Sequence, residues 1–337
     1  MHCSRRIVCT IAALLLSGLP AATQEPRPQS RPIEITAQAI DAFDSRDTSL
    51  AQFGTLRFRG GLVLTSSSRE FGGISAIRML DANGRFIALT DRGKWLRARI
   101  VLRDSRPIAI ADAEIAPILG PDGKPVTTRR NWYDTEALAD DGGTLYVGIE
   151  RSHEILRFDY GRDGLLARGQ PIGVPPAIKS LPSNRGIECL VAPPKGQPLA
   201  GTLIAISERG LDPAGNILGF LLGPQGGTFT VKRNDEFDIS DCALTPRGDL
   251  LLLERRFSWI RGLAIRIRRV PLARVAPRSV LEGSDMIVAD MGYQIDNFEG
   301  MAVHRDAAGA LVLTLISDDN FSPLQRTLLM QFTLLGE

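Results

Sequence analysis

The sequence predicts an all-β fold of the β-propeller class, most simply with six blades. Short apolar segments recur along the chain, acidic residues stand at their ends, and polar turns separate them. The clearest copy runs from Asp134 to Asp159, with the turn Asp140–Gly143 between its first two strands. Repeats of this kind are typical of radial β arrays, in which each copy forms one blade.

The first element of the chain, residues 1–23, has the order of a secretory signal peptide. Arg5 and Arg6 precede an apolar run that ends at Leu16, and small residues follow as far as Thr23. The run is too short to span a bilayer. We therefore expect cleavage near Thr23, export to the periplasm or the medium, and a mature protein without a transmembrane helix.

The remaining residues divide into a short leader and one domain. Residues 24–32 are rich in proline and are predicted to be flexible, and residues 33–337 are predicted to form a single propeller. Removing Arg5 and Arg6 reduces the 40 basic residues to 38, which equals the 38 acidic residues. A near-neutral mature chain argues against nucleic acid as a partner.

Five repeats are visible in the domain, and a sixth blade is inferred. Residues 33–68 are predicted to form a divergent blade that the C-terminal strand, 328–334, completes, so that the ring closes without an exposed sheet edge. The five repeats begin near Phe71, Asp134, Gly186, Asp238 and Asn297.

The spacing of the acidic residues agrees with a hairpin in each repeat. The midpoint between two paired residues of a hairpin must fall in its turn. Five pairs meet this condition: Gly73 with Asp91, Glu136 with Glu150, Glu188 with Glu208, Asp241 with Glu254, and Glu299 with Asp318. In a radial array these pairs would all reach one face, around a central channel.

A ring of carboxylates with few histidines is suited to Ca²⁺, a hard cation that prefers oxygen ligands. His153 and His304 have no partner at zinc-ligand spacing and are expected to serve packing or the surface. The candidate metal ligands are Asp91, Glu136, Glu150, Glu188, Glu208, Asp241, Glu254, Glu299 and Asp318.

Several short motifs resemble the phytase-like family, whose description is esterase-like activity of phytase. They are Phe71–Ser75, Thr90–Gly93, Asp134–Leu138, Ser207–Arg209 and Asn297–Met301, and the resemblance covers about residues 55–335. It implies an exported β-propeller that hydrolyses esters or phosphoesters. Motifs of the types Asp-Ala-Asp-Asp-Pro-Ala and Asn-Asn-Phe-Asp, found in β-propeller phytases, are missing from the sequence, so phytate is not the expected substrate.

Hydrolysis at such a ring would combine a cation with a general base. Ca²⁺ would hold a phosphate or carbonyl oxygen and lower the pKa of a bound water, and one carboxylate would accept a proton. The candidate catalytic residues are Glu136, Glu188, Glu299 and Asp318. The candidate substrate-binding residues are the cations Arg92, Lys94, Arg151, Arg209 and Arg255. These arginines, which follow strand-end acids, are equally suited to ion pairs between blades.

Two alternative functions stay open, and so does the pairing of two cysteines. One alternative is a lactonase-like propeller with a single metal ion; the other is a non-catalytic propeller with a structural Ca²⁺ and a face that binds a ligand or protein.

Cys189 and Cys242 occupy similar positions in neighbouring repeats and are predicted to be packed thiols, with a disulfide as the alternative. We expect a small-molecule substrate and a monomer.

Overall fold

Strands dominate the part of the chain that the computed structural model describes, residues 28–224 and 226–336. In chain order they are β1 (Arg31–Pro32), β2 (Thr36–Ile40), β3 (Gln52–Phe53), β4 (Leu56–Thr65), β5 (Ile74–Met79), β6 (Arg85–Thr90), β7 (Lys94–Arg103), β8 (Arg106–Pro117), β9 (Thr135–Asp141), β10 (Thr144–Ile149), β11 (Glu154–Asp159), β12 (Gln170–Pro171), β13 (Ile187–Val191), β14 (Leu203–Leu211), β15 (Ile217–Leu222), β16 (Gly227–Val231), β17 (Asp238–Leu244), β18 (Asp249–Ser258), β19 (Gly262–Pro271), β20 (Val280–Leu281), β21 (Ser284–Asp290), β22 (Phe298–Arg305), β23 (Leu311–Ser317) and β24 (Thr327–Leu334). Helical turns are α1 (Tyr160–Asp163), α2 (Pro176–Lys179) and the 3₁₀ segments Val126–Thr128, Gly164–Leu166 and Leu272–Arg274.

The described strands form five sheets, which are the blades of a propeller. From the inner to the outer edge, the strand orders are β5-β6-β7-β8-β1, β9-β10-β11-β12, β13-β14-β15-β16-β20, β17-β18-β19-β21 and β22-β23-β24-β4-β2. The five innermost strands contact one another in a closed ring, from β5 through β9, β13, β17 and β22 back to β5. The predicted propeller is therefore confirmed, and its axis is lined by these strands.

The structure corrects the predicted number of blades from six to five. Residues 36–65 do not form a separate blade, because β4 pairs with β24 over eight residues and β2 pairs with β4. They are the outer strands of the fifth blade, whose inner three strands come from the C-terminal repeat. The N-terminal segment thus closes the ring, as expected, but it joins an existing blade.

Five apolar clusters hold neighbouring blades together. In the cluster between the first and second blades, Trp95 packs edge-on against Phe158 with ring centroids 5.3 Å apart. Between the fourth and fifth blades, Phe43 contacts Phe332 in the same manner at 5.1 Å. The other three clusters join the remaining pairs of blades. Because neighbouring blades cover both faces of each sheet, the strand sequences are almost continuously apolar.

Two predictions about smaller features also change. Cys189 and Cys242 form a disulfide between β13 and β17, with Cα atoms 5.2 Å apart, because neighbouring inner strands approach closely at the axis. The last two residues of the predicted flexible leader, Arg31–Pro32, pair with β8. The predicted signal peptide lies outside the described residues. No described helix is long and apolar enough to cross a membrane.

Candidate active site

A β-bulge interrupts the ladder between the first and second strands of every blade, at the end where the inner strand begins. A bulge inserts one residue that has no partner on the other strand and re-aims its side chain. The five inserted residues are Ser75, Glu136, Glu188, Ser240 and Glu299. The two serines donate to carbonyls of the next inner strand, Thr135 and Phe298. The three glutamates face one another at the axis.

The end of each second strand supplies another ring of side chains at the same face. The backbone N–H groups of Asp91, Glu150, Glu208 and Asp318 donate across the ladder at 2.8–2.9 Å. Their acceptors are the carbonyls of Gly73, Asp134, Gly186 and Asn297. The predicted pair Gly73–Asp91 is therefore confirmed. The other predicted pairings are displaced by the bulges.

Glu136 and Glu188 are the most perturbed members of the cluster. Burial raises the pKa of Glu136 well above its usual range, and the nearby charges of Glu188 and Glu299 raise it further. Burial likewise raises the pKa of Glu188, reinforced by Glu208 and opposed by Arg255. Among the described residues, neither carboxyl group receives a hydrogen bond from a protein donor. The ionised form of each carboxyl group is thus costly unless a cation neutralises it, and without a cation the group retains its proton.

Three carboxyl groups around them have pKa values near neutrality. Burial is the main cause in each case, and it raises the pKa of Asp91 to about 6, that of Glu150 to about 7 and that of Asp318 to about 8. Glu150 accepts a hydrogen bond from the backbone of Gly186 at 2.9 Å, which limits its rise. Asp91 Oδ1 is buried without a donor. Groups of this kind can exchange protons at neutral pH.

Arg255 is the cation at the centre of the cluster. In the fourth blade it occupies the strand-end position that acids occupy in the others, since it pairs with Asp238 in the ladder. Its guanidinium donates to Glu299 and to the side chain of Asn297, and it lies 3.5 Å from Glu208. The surrounding carboxylates raise the pKa of Arg255, so the group stays charged.

The structure places Glu254 outside the channel. Side chains alternate along a strand, so Glu254 points to the opposite side from Arg255. It is fully buried and accepts hydrogen bonds from Arg266 at 2.7 Å and Arg268 at 2.8 Å. The predicted metal ligand is therefore a structural partner of two arginines within its own blade.

Asp241 also lies outside the carboxylate cluster, because it pairs with Arg78, an arginine that closes the channel. Both carboxylate oxygens of Asp241 accept from Arg78 at 2.9 Å, and the backbone of Met301 donates to it at 2.7 Å. Arg78 further donates to the carbonyls of Leu190 and Cys242. Because it bonds to several inner strands at once, Arg78 blocks the axis below the carboxylates. Beyond it lies a separate cavity of about 220 Å³.

Most of the predicted substrate-binding cations already have acidic partners. Arg151 pairs with Asp134 at 2.7 Å and Arg209 with Asp238 at 3.3 Å, both on the rim of the cluster. Lys94 pairs with Glu70 at 3.2 Å, away from the inner strands. Arg92 lies over the ring of Phe321, 3.3 Å from its centroid. Arg255 is thus the one of the five that reaches the catalytic candidate Glu299 and the metal-ligand candidate Glu208.

The oxygen atoms at the channel mouth suit a hard cation as ligands, although they do not surround a common metal position. All are carboxylate oxygens, and those of Glu136 and Glu188 are free of hydrogen-bond donors in the described chain. Over residues 28–224 and 226–336, no three His, Cys, Asp or Glu side chains stand close enough together to hold a metal ion. Binding Ca²⁺ would require these side chains to close on the ion. His304 lies apart, and burial lowers its pKa to about 4.

Several site residues were not predicted. Ser75 and Ser240 occupy the bulges in the first and fourth blades, where the sequence predicts Gly73 and Asp241 as the residues that reach the channel. The rim acids Asp134 and Asp238 pair with arginines. A signal for the serines exists, because Ser75 stands two residues after Gly73 and Ser240 two residues after Asp238, just as Glu136 stands two residues after Asp134. Nothing in the sequence marks Arg78, whose partner lies 163 residues away.

These features define a five-bladed propeller with a blind, carboxylate-lined channel mouth and one central arginine. Residues 69–321, three quarters of the chain, match the phytase-like family described as esterase-like activity of phytase. The chain belongs to this family. No curated protein sequence gives a significant match.

Solved structures resemble the fold at low sequence identity. Glutaminyl cyclase from Myxococcus xanthus has 13% identity and a TM-score of 0.42, with 90% of this chain and 100% of that chain covered. The α-L-arabinofuranosidase PaAbf62A from Podospora anserina, in complex with cellotriose, has 10% identity and a TM-score of 0.49, with 80% and 93% covered. The PQQ-bound aldose sugar dehydrogenase from Streptomyces coelicolor has 11% identity and a TM-score of 0.45, with 89% and 99% covered.

Proposed function

We propose that the protein hydrolyses ester or phosphoester bonds at the channel mouth, with a divalent cation, Ca²⁺, neutralising part of the carboxylate cluster. The observation that carries this proposal is the pair of half-buried Glu136 and buried Glu188, which face the axis without a protein donor in the described chain. The family's description as esterase-like supports the same class of reaction.

Proton transfer can be assigned to the carboxyl groups around this pair. Glu150 and Asp318, with pKa values of about 7 and about 8, are divided between acid and base forms at neutral pH. One form can activate a water and the other can protonate a leaving group. Arg255 lies beside Glu299 and Glu208 and is placed to stabilise a developing oxyanion.

Charge decides which substrates need the cation. A phosphoester brings negative charge to a cluster that already contains many carboxylates, so its binding depends on Ca²⁺. A neutral carboxyl ester meets no such repulsion and depends on the ion mainly for water activation. A lactone is an intramolecular ester, so the lactonase-like alternative belongs to the second group.

A calcium titration of the chelator-treated mature protein tests the proposal. Melting temperature is followed together with hydrolysis of p-nitrophenyl phosphate, p-nitrophenyl acetate and γ-butyrolactone. We expect Ca²⁺ to raise both stability and turnover, and Glu136→Gln and Glu188→Gln to abolish the turnover. Glu34→Gln, at an exposed carboxylate remote from the channel, is the control.

The other outcomes are informative in different ways. Higher stability without turnover of any of the three substrates would favour the non-catalytic propeller with a structural Ca²⁺. Turnover that is unaffected by chelation and calcium would retain the hydrolase and remove the metal. Turnover that survives in both glutamine variants would refute the assignment of the site.

A further inference from the structure

The hairpin between β18 and β19 extends beyond the carboxylate face of the propeller. The inner strand β17 begins at Asp238, which pairs with Arg255. Beyond this point β18 and β19 continue to pair with each other without an inner neighbour, and the last pair is Ser258 with Gly262. At about 3.3 Å per residue, the tip of the hairpin lies roughly 13 Å past Arg255.

The tip of this hairpin is apolar and almost completely exposed. Trp259 is 94% and Ile260 97% exposed, and Phe257, 62% exposed, touches the edge of Trp259. The other two tryptophans, Trp95 and Trp132, are buried. Nothing in the described chain covers the tip, so its exposure must be offset by a function or tolerated at a cost in solubility.

Further apolar side chains project from the same face. Met291 follows the end of β21 and packs beside Gly262 of the hairpin, yet it remains 65% exposed. Leu324, in the loop after β23, is 92% exposed. Apolar side chains at the outermost points of one face suit contact with a flat surface more than entry into a pocket.

We infer that this hairpin inserts its tip into the interface of a lipid bilayer and turns the channel mouth toward the membrane. The chemistry of the tip agrees with such an insertion, because tryptophan is favoured at the boundary between lipid headgroups and acyl chains. Arg261 follows the apolar residues directly and can contact anionic headgroups while Ile260 is buried in the acyl region.

The size of the tip favours a lipid surface over a protein partner. A fully exposed aromatic side chain presents at most on the order of 150–250 Å², and Phe257 is only 62% exposed. The hairpin tip formed by Phe257, Trp259 and Ile260 therefore exposes less than the roughly 800 Å² that each partner contributes to a stable protein interface. A bilayer requires no complementary pocket, and reversible partitioning needs only a few buried side chains.

The test measures binding of the mature protein to vesicles of phosphatidylcholine with and without phosphatidylglycerol, by co-sedimentation. Trp259 provides a direct probe, since brominated acyl chains quench the fluorescence of a tryptophan that enters the bilayer and the two other tryptophans are buried. We expect quenching in the wild type and at least about tenfold weaker partitioning in Trp259→Ser/Ile260→Ser. Arg261→Gln should weaken binding only to the anionic vesicles.

The matched control is Leu102→Ser, an exposed leucine at the opposite end of the first blade, which should bind like the wild type. Unchanged melting temperatures would show that all variants fold. The inference is overturned if the wild type binds neither kind of vesicle, or if the double variant binds as well as the wild type. It is also overturned if the hairpin instead mediates self-association, detected as a vesicle-independent oligomer that the double variant loses.

Discussion

Replacing Glu150 with glutamine should stabilise the metal-free protein at neutral and alkaline pH. Glu150 is buried, and its pKa rises from the ordinary 4.5 to about 7 because the folded state disfavours the charged form. Glutamine has the same shape and keeps the oxygen that accepts the hydrogen bond from Gly186. The substitution therefore removes the charge and preserves the packing.

The size and the sign of the effect follow from the two pKa values. The folded state holds the proton more tightly than the unfolded state, so this contribution to stability is complete below about pH 4.5 and is lost as pH rises through about 7. A difference of this size corresponds to about 3 kcal/mol. The variant should match the wild type at the acidic end and exceed it by up to about 3 kcal/mol above pH 7.

Urea unfolding of the oxidised, chelator-treated protein as a function of pH measures this difference. Glu34→Gln serves as the control and should change the free energy of unfolding by less than about 0.5 kcal/mol. A wild type that is as stable as Glu150→Gln across the whole range would refute the description of the channel mouth as a dry, mutually repelling set of carboxyl groups. Added Ca²⁺ should narrow the gap if the ion binds there.

Substitutions at three further places test the scaffold around the site: the Arg78–Asp241 pair, the disulfide and Arg255. Arg78→Met leaves Asp241 buried without its partner and should cost about 3–5 kcal/mol in urea unfolding, whereas Arg78→Met/Asp241→Leu should recover much of that loss. Cys189→Ser/Cys242→Ser opens a crosslink that spans 53 residues and should cost about 4 kcal/mol, while reducing agent should have no further effect on the variant. Arg255→Gln removes the cation beside Glu299 and Glu208 and should cost at least about 2 kcal/mol above pH 7. The loss should shrink on acidification, because burial raises the pKa of Glu208 and favours its uptake of a proton; an equal loss at all pH values would contradict this electrostatic role.

The repeated hairpins could be predicted because they depend on local spacing. Each polar turn lies midway between two apolar strands, and the structure has a hairpin at every predicted turn. The bulges could not be predicted, since one inserted residue leaves the apolar pattern unchanged. A shift of one residue sends a side chain to the other face of a strand. For this reason the sequence alone predicts Glu254 as the strand-end acid of the fourth blade, although Arg255 occupies that position.

The number of blades depended on long-range pairing that the sequence pattern does not contain. The sequence of residues 36–65 predicts strands but does not show which sheet they join. Only the pairing of β4 with β24 shows that they complete the fifth blade. Arg78 illustrates the same limit. Its side chain is specified by carbonyls on three other inner strands, which meet only when the ring has closed.

The channel mouth departs from five-fold symmetry, and the departure indicates where a ligand would bind. At the end of the second strand, the fourth blade carries Arg255 and the other four blades carry an acid. Arg255 binds Glu299 on one side and approaches Glu208 on the other. The charges that act most strongly on Glu136 are all carboxylates. Under the proposed function, a cation would therefore be held between the second and third blades, at Glu136 and Glu188. An oxyanion would be stabilised at Arg255, so a bound ester would lie across the axis between these two regions.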